Sequence, residues 1–214
     1  MSVGRSLLDV ETPGGLARVH LRRRRGARGT VVLGHGAGGG LGSVDLTAAA
    51  TAFEGEGWAV ALVEQPWLVA GRRVAGRPAT LDLAWVPVVR ALRRGGGPLA
   101  SMRGPLVLGG RSAGARVACR TAEDLAADAV LCLSFPLHPP GQPDKLRAHE
   151  LALVTEAGRP IAAIQGLQDP FGTPDELTAY LGQVYAVPGT HTIPRSSAGA
   201  VADAAVRFAG EVRE

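Results

Sequence analysis

The chain has 214 residues, of which 46% are hydrophobic and 20% are charged, so it can bury a sizeable core and is not expected to be disordered. Its 30 glycines and 15 prolines follow no fixed period, which excludes a collagen-like protein. The net charge of +4 comes from basic residues that are spread along the chain and include a single lysine, so we expect neither a nucleic-acid nor a membrane partner.

The first predicted element is an antiparallel hairpin. Leu7–Glu11 and Ala17–Leu21 flank the turn sequence Pro13-Gly14-Gly15. The run Arg22–Arg25 follows the second strand and precedes a glycine-containing turn, so we expect it to be solvated. The N-terminus shows no apolar signal segment, and no stretch approaches the roughly 18–20 apolar residues of a membrane helix. We therefore expect a single cytoplasmic domain that covers residues 1–214.

After the hairpin, short apolar runs alternate with longer segments of helical character. Most of these runs are continuous, which is typical of strands buried on both faces of a parallel sheet. The predicted strands are Thr30–Gly34, Trp58–Glu64, Pro105–Gly109, Ala129–Phe135, Ile161–Gly166 and Gln183–Val187. The predicted helices are Ser43–Glu56, Leu81–Arg94, Ala113–Ala127, Pro174–Leu181 and Ser197–Val212. This order predicts an α/β fold with a doubly wound, mostly parallel sheet and an N-terminal antiparallel hairpin.

One long segment, Phe135–Asp144 (FPLHPPGQPD), has no regular pattern and carries four of the 15 prolines. It follows the carboxyl end of a predicted strand, where open α/β sheets bind their ligands. We therefore expect a stiff loop over the site rather than a linker between two domains.

The first candidate site is the glycine-rich segment Gly34–Gly40, which lies between a predicted strand and a helix. Gly34, Gly36 and Gly39 match the dinucleotide-binding pattern G-x-G-x-x-G, and Glu64 ends the next strand where a ribose-binding acid would lie. The same glycines would let backbone N–H groups approach a substrate oxygen closely, as in an oxyanion loop. A tight turn without any ligand is the third interpretation.

The second candidate site is Gly110-Arg-Ser-Ala-Gly114, at a predicted strand-to-helix turn. In this context G-x-S-x-G indicates a nucleophile elbow, in which the serine has a strained backbone and the glycines avoid collisions with neighbouring elements. Ser112 Oγ would then stand at a helix N-terminus, where the amide of Ala113 favours a developing oxyanion. The alternative is a serine that only caps the helix.

The third candidate site combines Asp169 and His191, which follow the last two predicted strands. A serine hydroxyl needs an imidazole to take its proton and a carboxylate to orient that imidazole. Alone, an aspartate before proline is typical of a turn, and a histidine is typical of a surface or core position. The chain order Ser112, Asp169, His191 is the α/β-hydrolase order, so the three together favour a catalytic triad.

Several residues near these sites are candidates for supporting roles. His35 is expected to hydrogen-bond within the glycine-rich loop, and His138, in the proline-rich loop, either packs there or contacts substrate. Arg111, next to the serine, and the pair Arg72 and Arg73 could favour an acidic substrate. Because no His, Cys or acidic residues show metal-ligand spacing and a P-loop lysine is missing, we predict neither a metal nor any other cofactor.

With these residues in place, the chain resembles the α/β-hydrolase superfamily, and within it the small, lidless, dienelactone-hydrolase-like branch that includes the KANL3/Tex30-type proteins. The matching segments are LGHGAGG at Leu33–Gly39, GGRSAG at Gly109–Gly114, FPLHPPGQPDKLR at Phe135–Arg147 and QGLQDPFGTPDEL at Gln165–Leu177. One position departs from the family, which usually has an acidic residue directly before the histidine, where this chain has Thr190.

The resemblance implies an α/β-hydrolase fold with no large cap domain, in which Ser112 is the nucleophile, His191 the base and Asp169 the orienting acid. It also implies that the oxyanion hole and its loop are formed by Ala37, Ala113, His35, Gly36 and Gly38.

The function that follows is hydrolysis of a small ester, thioester or lactone-like acyl bond through an acyl-enzyme, by a monomer or homodimer. Because the chain is too short for a large cap domain, we expect a shallow pocket and a small or extended acyl group. Two alternatives remain open. One is a non-catalytic binding or scaffold protein with this fold, and the other is a dinucleotide-binding protein that uses Gly34–Gly39.

Overall fold

The chain begins with a long antiparallel hairpin. A computed structural model describes residues 3–38, 40–72, 76 and 78–212, and in it β1 (Val3–Thr12) pairs with β2 (Gly15–Arg24) around a two-residue turn. Both strands are longer than predicted. Most of the arginine run continues β2 because each of its residues finds a partner in β1, as Arg22 does opposite Arg5.

The remaining six strands are parallel to one another. They are β3 (Thr30–Gly34), β4 (Ala59–Glu64), β5 (Leu106–Arg111), β6 (Ala129–Leu133), β7 (Ile161–Gly166) and β8 (Val184–Val187). The strand order is β1-β2-β4-β3-β5-β6-β7-β8, and the hairpin joins the sheet through antiparallel pairing of β2 with β4. The doubly wound, mostly parallel sheet predicted from the sequence is thereby confirmed.

Seven α-helices connect or flank the strands in the described part of the chain. They are α1 (Val44–Gly55), α2 (Pro66–Val69), α3 (Pro78–Arg93), α4 (Ala113–Thr121), α5 (Ala148–Thr155), α6 (Pro174–Leu177) and α7 (Ala198–Glu211). The predicted helix Ala113–Ala127 ends early, at Thr121, because the chain must turn back into β6. Ala126 has a φ of 49°, which a right-handed helix does not contain.

The helices form two layers, one on each face of the sheet. α3, α4 and α5 pack on one face, where Trp85 is fully buried, and α1 and α7 pack together on the other, where Phe53 and Phe208 are fully buried. Neighbouring residues of β3 pack on opposite faces of the sheet: Val31 lies on the side of α1 and α7, and Val32 lies on the side of α3, α4 and α5. This two-sided burial explains why the central strands read as continuous apolar runs. Within the described residues no helix is long and apolar enough to cross a membrane.

Candidate active site

Ser112 occupies a sharp turn between β5 and α4. Its backbone has φ 52° and ψ −109°, a conformation that residues with a side chain rarely adopt. The amide of Ser112 donates to Leu133 O at 2.9 Å, so β6 holds the strained turn in place. The side chain makes no capping hydrogen bond, which argues against the helix-cap interpretation of this serine.

Glycines on both sides of the serine allow this turn to approach β3. A Cβ atom at Gly110 or at Gly114 would lie 2.4 Å from the carbonyl oxygen of Gly34, well inside van der Waals contact. β5 and α4 can therefore approach β3 this closely only if both positions lack a side chain. The packing explains the spacing of the G-x-S-x-G sequence.

The structure brings Ser112, His191 and Asp169 together. Ser112 Oγ lies 3.0 Å from His191 Nε2, and His191 Nδ1 lies 2.8 Å from Asp169 Oδ2. Asp169 is 1% exposed, whereas the histidine is only partly buried. Because β5, β7 and β8 are parallel, their carboxyl ends share one edge of the sheet, and the loops that follow them place the three side chains in one chain of hydrogen bonds.

Gln165, which the sequence did not single out, holds Asp169. Its side chain is fully buried, and Nε2 donates to Asp169 Oδ2 at 2.9 Å and to Gly172 O at 2.7 Å. Its Oε1 accepts from the amide of Phe135 at 2.8 Å, so one amide group joins the carboxylate to two loops. The sequence held one signal for this role: Gln165 is a glutamine inside the otherwise apolar strand Ile161–Gly166. A buried polar side chain needs hydrogen-bond partners.

Phe171 supports both members of the acid–imidazole pair. Its amide donates to Asp169 Oδ1 at 2.9 Å, and its ring lies 4.2 Å from the imidazole ring of His191, between centroids. The proline-rich loop packs behind it, since the amide of His138 donates to Phe171 O at 3.0 Å. The segment Phe135–Asp144 thus supports the loop that carries the carboxylate.

The glycine-rich loop is shaped by His35. Its Nε2 accepts a hydrogen bond from the amide of Gln65 at 3.0 Å, so Nδ1 carries the proton and donates to Gly36 O at 2.8 Å. Burial lowers the pKa of His35 below its ordinary value, which keeps the ring neutral in this role. His35 therefore links the loop after β3 to the end of β4.

The expected oxyanion loop passes directly beside the serine. A Cβ atom at Gly36 would lie 3.4 Å from Ser112 Cβ and 2.8 Å from Arg111 Nη1, so a side chain there would displace the guanidinium of Arg111. Ala37 and Ala113 line the same small cavity, and neither of their amides donates a hydrogen bond in a turn, loop or cap of the described chain. Gly38 is exposed, and Gly39 lies outside the described residues.

Arg111 lies under the site and is already paired. Its Nε is 3.2 Å from Asp45 Oδ2, and its Nη2 donates to the backbone carbonyl of His191 at 2.6 Å. Asp45, at the start of α1, is 1% exposed and also accepts from Ser134 Oγ at 3.2 Å. Sequence reasoning missed Asp45, because an acid in the first turn of a helix is usually explained by the helix dipole.

Two of the other three candidates belong to the described part of the chain, and neither shares a hydrogen bond with Ser112, Asp169 or His191 there. His138 Nε2 is 3.1 Å from Glu176 Oε1, and its ring is nearly buried in the proline-rich loop. Arg72 is exposed and lines a cavity beside Gln65 and Trp67. Arg73 lies outside the described residues.

Comparison with known proteins agrees with this architecture. Residues 27–196 match a family model described as an alpha/beta hydrolase domain. No curated protein matches the chain. Similar solved structures include an α/β serine hydrolase without lid from Xanthomonas campestris, at 16% identity and a TM-score of 0.75 over 99% of this chain and 96% of that one.

Two further solved structures show the same fold at low identity. A dienelactone hydrolase from Anabaena variabilis is 17% identical, with a TM-score of 0.75 over 99% of both chains. Est1E from Butyrivibrio proteoclasticus, solved with bound ferulic acid, is 14% identical, with a TM-score of 0.75 over 96% of this chain and 98% of that one.

Proposed function

The chain belongs to the α/β-hydrolase domain family, and we propose that it is a serine hydrolase that cleaves a small ester, thioester or lactone-like acyl bond through an acyl-enzyme. One observation carries the proposal: Ser112 Oγ is 3.0 Å from His191 Nε2, while His191 Nδ1 is 2.8 Å from the buried carboxylate of Asp169. This is the arrangement that nucleophilic acyl transfer requires.

In the acylation step, Ser112 Oγ attacks the substrate carbonyl while its proton passes to His191 Nε2. The amides of Ala37 and Ala113 donate to the oxyanion that forms. The tetrahedral intermediate then collapses: the bond to the leaving alcohol or thiol breaks, and that group takes the proton from His191. A water molecule repeats the same steps on the acyl-serine, which releases the acid and restores Ser112.

Asp169 supports the positive charge that His191 carries between these proton transfers. The carboxylate is buried and accepts from Gln165 Nε2, from the amide of Phe171 and from His191 Nδ1. Donors on both oxygens hold the direction of the carboxylate. The same bonds fix the imidazole so that Nε2 faces the serine.

The position of α1 argues against the dinucleotide-binding alternative. In that fold the glycine-rich turn opens directly into a helix whose N-terminus receives the pyrophosphate. Here α1 begins only at Val44, and the carboxylate of Asp45 stands in its first turn. Gly36 instead lies against Ser112, which supports the oxyanion interpretation of the loop.

The preference for an acidic substrate now depends on Arg72. Arg111 is already engaged by Asp45 and by the carbonyl of His191, so its charge is largely neutralised within the protein. Arg72 is exposed beside the site and is the described arginine of this group that remains available to a carboxylate. We propose it as the residue to vary when neutral and carboxylate-bearing esters are compared.

Labelling with a fluorophosphonate probe tests the proposed function. The folded wild-type protein should be labelled, Ser112→Ala should not be, and Ser101→Ala, a matched change at an exposed loop serine, should be labelled like the wild type. Absence of labelling in the folded wild type would favour the scaffold alternative. Protection against thermal unfolding by a nicotinamide dinucleotide would favour the dinucleotide alternative.

A further inference from the structure

We propose that a cavity beside the oxyanion loop binds the far end of the substrate's acyl group, so that the enzyme prefers acyl chains of about six to ten carbons over acetyl. This inference rests on the proposed function. The cavity has a volume of about 610 Å³, within the range of small-molecule sites. It is bounded by α2, by the first half of α3 and by the turn of the β1–β2 hairpin.

The cavity begins one side chain away from the expected oxyanion hole. Gln65, Trp67 and Leu81 form one of its walls. The same three residues also line the small cavity that Ala37 and Ala113 bound. The larger cavity therefore lies on the far side of these three residues from Ala37 and Ala113.

The sheet sets the distance that the acyl group must cover. β3 lies between β5, which carries Ser112, and β4, which leads to Gln65. With about 4.8 Å between neighbouring strands, the two carboxyl ends are roughly 10 Å apart, the reach of an extended chain of roughly eight carbons. Acetyl and butyryl groups end before the cavity, so they gain nothing from it.

The proton transfers decide which half of the substrate lies in the cavity. His191 must protonate the leaving group, so the alcohol or thiol lies on the side of the serine where β8 ends. The cavity lies on the opposite side, beyond the oxyanion loop and β3. The acyl half, not the alcohol half, therefore extends into it.

The chemistry of the walls fits an apolar chain. Leu16, Pro66, Val69 and Ala84 contribute aliphatic surface. The polar atoms Gln65 Oε1 and Trp67 Nε1 are shielded from solvent. Arg72 is the one charged side chain among the described lining residues, and it is exposed.

Hydrolysis of p-nitrophenyl esters from acetate to decanoate measures the preference. We expect kcat/KM to change little between acetate and butyrate and then to rise about fourfold per methylene, the fold-change that corresponds to about 0.8 kcal/mol for each buried CH₂. The rise should level off near the decanoate, where the cavity is filled. A series in which acetate is the best substrate would overturn the proposal.

A substitution at the rim of the cavity tests whether the chain-length preference comes from this cavity. Ala70, at the end of α2, is exposed and lines the cavity, so Ala70→Trp should fill it without disturbing the core. We expect the octanoate-to-acetate ratio of kcat/KM to fall at least tenfold. Ala100→Trp, at an exposed alanine in the loop before β5, should keep the wild-type ratio. Equal ratios in both variants would contradict the assignment.

A binding measurement separates this inference from the proposed function. Octanoate titrated calorimetrically into Ser112→Ala should bind, and should fail to bind when Ala70→Trp is added. If no ester is hydrolysed and no probe labels the protein, yet octanoate binds in this pattern, the catalytic proposal fails and the cavity assignment stands. If esters are hydrolysed but octanoate does not bind, the cavity assignment fails alone.

Discussion

Arg111 Nη2 donates a 2.6 Å hydrogen bond to the backbone carbonyl of His191, 80 positions later in the chain. The residue directly before Ser112 thus holds the loop that carries His191. The buried carboxylate of Asp45 fixes Arg111 in turn, at 3.2 Å from Nε. One guanidinium thus contacts both the carboxylate of Asp45 and the carbonyl of His191. The distance between Ser112 and His191 therefore depends on the Arg111–Asp45 ion pair, which contains neither of them.

Replacement of Arg111 by lysine should therefore impair catalysis more than binding. Lysine keeps the positive charge beside Asp45, but its single ammonium cannot also reach the carbonyl of His191 in the geometry of a guanidinium fork. We expect kcat for a p-nitrophenyl ester to fall about 10- to 100-fold with KM changed by less than about threefold. Steady-state kinetics provides the measurement, with Arg90→Lys, at an exposed ion pair, as the matched control.

Removal of the positive charge of Arg111 tests the same ion pair through the free energy of unfolding. Arg111→Met leaves the carboxylate of Asp45 buried without its cation, which should lower the free energy of unfolding by about 3–5 kcal/mol. Urea denaturation gives this value. A loss below about 1 kcal/mol, or wild-type kcat in Arg111→Lys, would show that the pair does not hold the site.

Gln165→Glu should create a new, pH-dependent defect. The substituted carboxyl would face Asp169 Oδ2 and Gly172 O, which the native Nε2 approaches at 2.9 and 2.7 Å. Burial and the neighbouring carboxylate would raise the pKa of the new group in the folded state above its unfolded value. Its neutral form is then the tolerated one, so the loss of stability should be small at acid pH and grow as pH rises.

The melting temperature should accordingly fall by roughly 10 °C at pH 8, which corresponds to about 3–4 kcal/mol, and by much less at pH 5. Thermal unfolding followed by circular dichroism at both pH values checks this. Gln142→Glu, at an exposed glutamine in the proline-rich loop, is the control for an added charge. A pH-independent loss would mean that packing, not ionisation, causes the defect.

The same glycine-to-alanine change should have opposite effects in two helices. At Gly114 the added Cβ would lie 2.4 Å from Gly34 O, so β3 or α4 must shift, and we expect a loss of about 2–4 kcal/mol. At Gly199, in α7, nothing lies within 4 Å of the added atom, and alanine should stabilise the helix by about 0.5–1 kcal/mol. Urea denaturation of both variants makes the comparison, and equal signs would refute the close approach of the elbow to β3.

His35 should contribute to the loss of stability in acid. Burial lowers the pKa of His35 in the folded state, so as pH falls below about 6.5 the unfolded chain binds a proton that the folded chain does not. This part of the stability is complete above that pH and is lost as pH falls toward the folded pKa. His35→Gln should flatten the decline in unfolding free energy between pH 7.5 and 5.5. His149→Gln, at an exposed histidine, is the matched control, and parallel declines in His35→Gln and wild type would contradict the assignment.

The sequence predicted the central strands well because burial on both faces leaves a local mark. Thr30–Gly34 and Ile161–Gly166 have the predicted bounds, since each is a continuous short apolar run. Helix ends were predicted less well. The end of α4 depends on where the chain must return to the sheet, and the positive φ of Ala126 that makes this turn has no glycine to announce it.

The candidate site also contains residues that the sequence predicted and residues that it did not. Ser112, Asp169 and His191 were singled out from the sequence because each lies just beyond the end of a strand, where chain order and local motif are visible. Asp45 and Gln165 were not, because their partners are distant in the chain: Arg111 follows Asp45 by 66 positions, and the loop at Phe135 precedes Gln165 by 30. A local sequence pattern does not indicate a contact between residues so far apart in the chain.

The sequence by itself thus determined the layered α/β sheet and the three groups expected to carry the chemistry. These features depend on hydrophobic period and on glycine at close approaches, which are local properties of the chain. Tertiary structure alone decided that Arg111 holds the backbone of His191, and that a cavity of about 610 Å³ lies beside Gln65 and Trp67. This cavity exists because the hairpin turn and α3 enclose space that neither segment encloses alone.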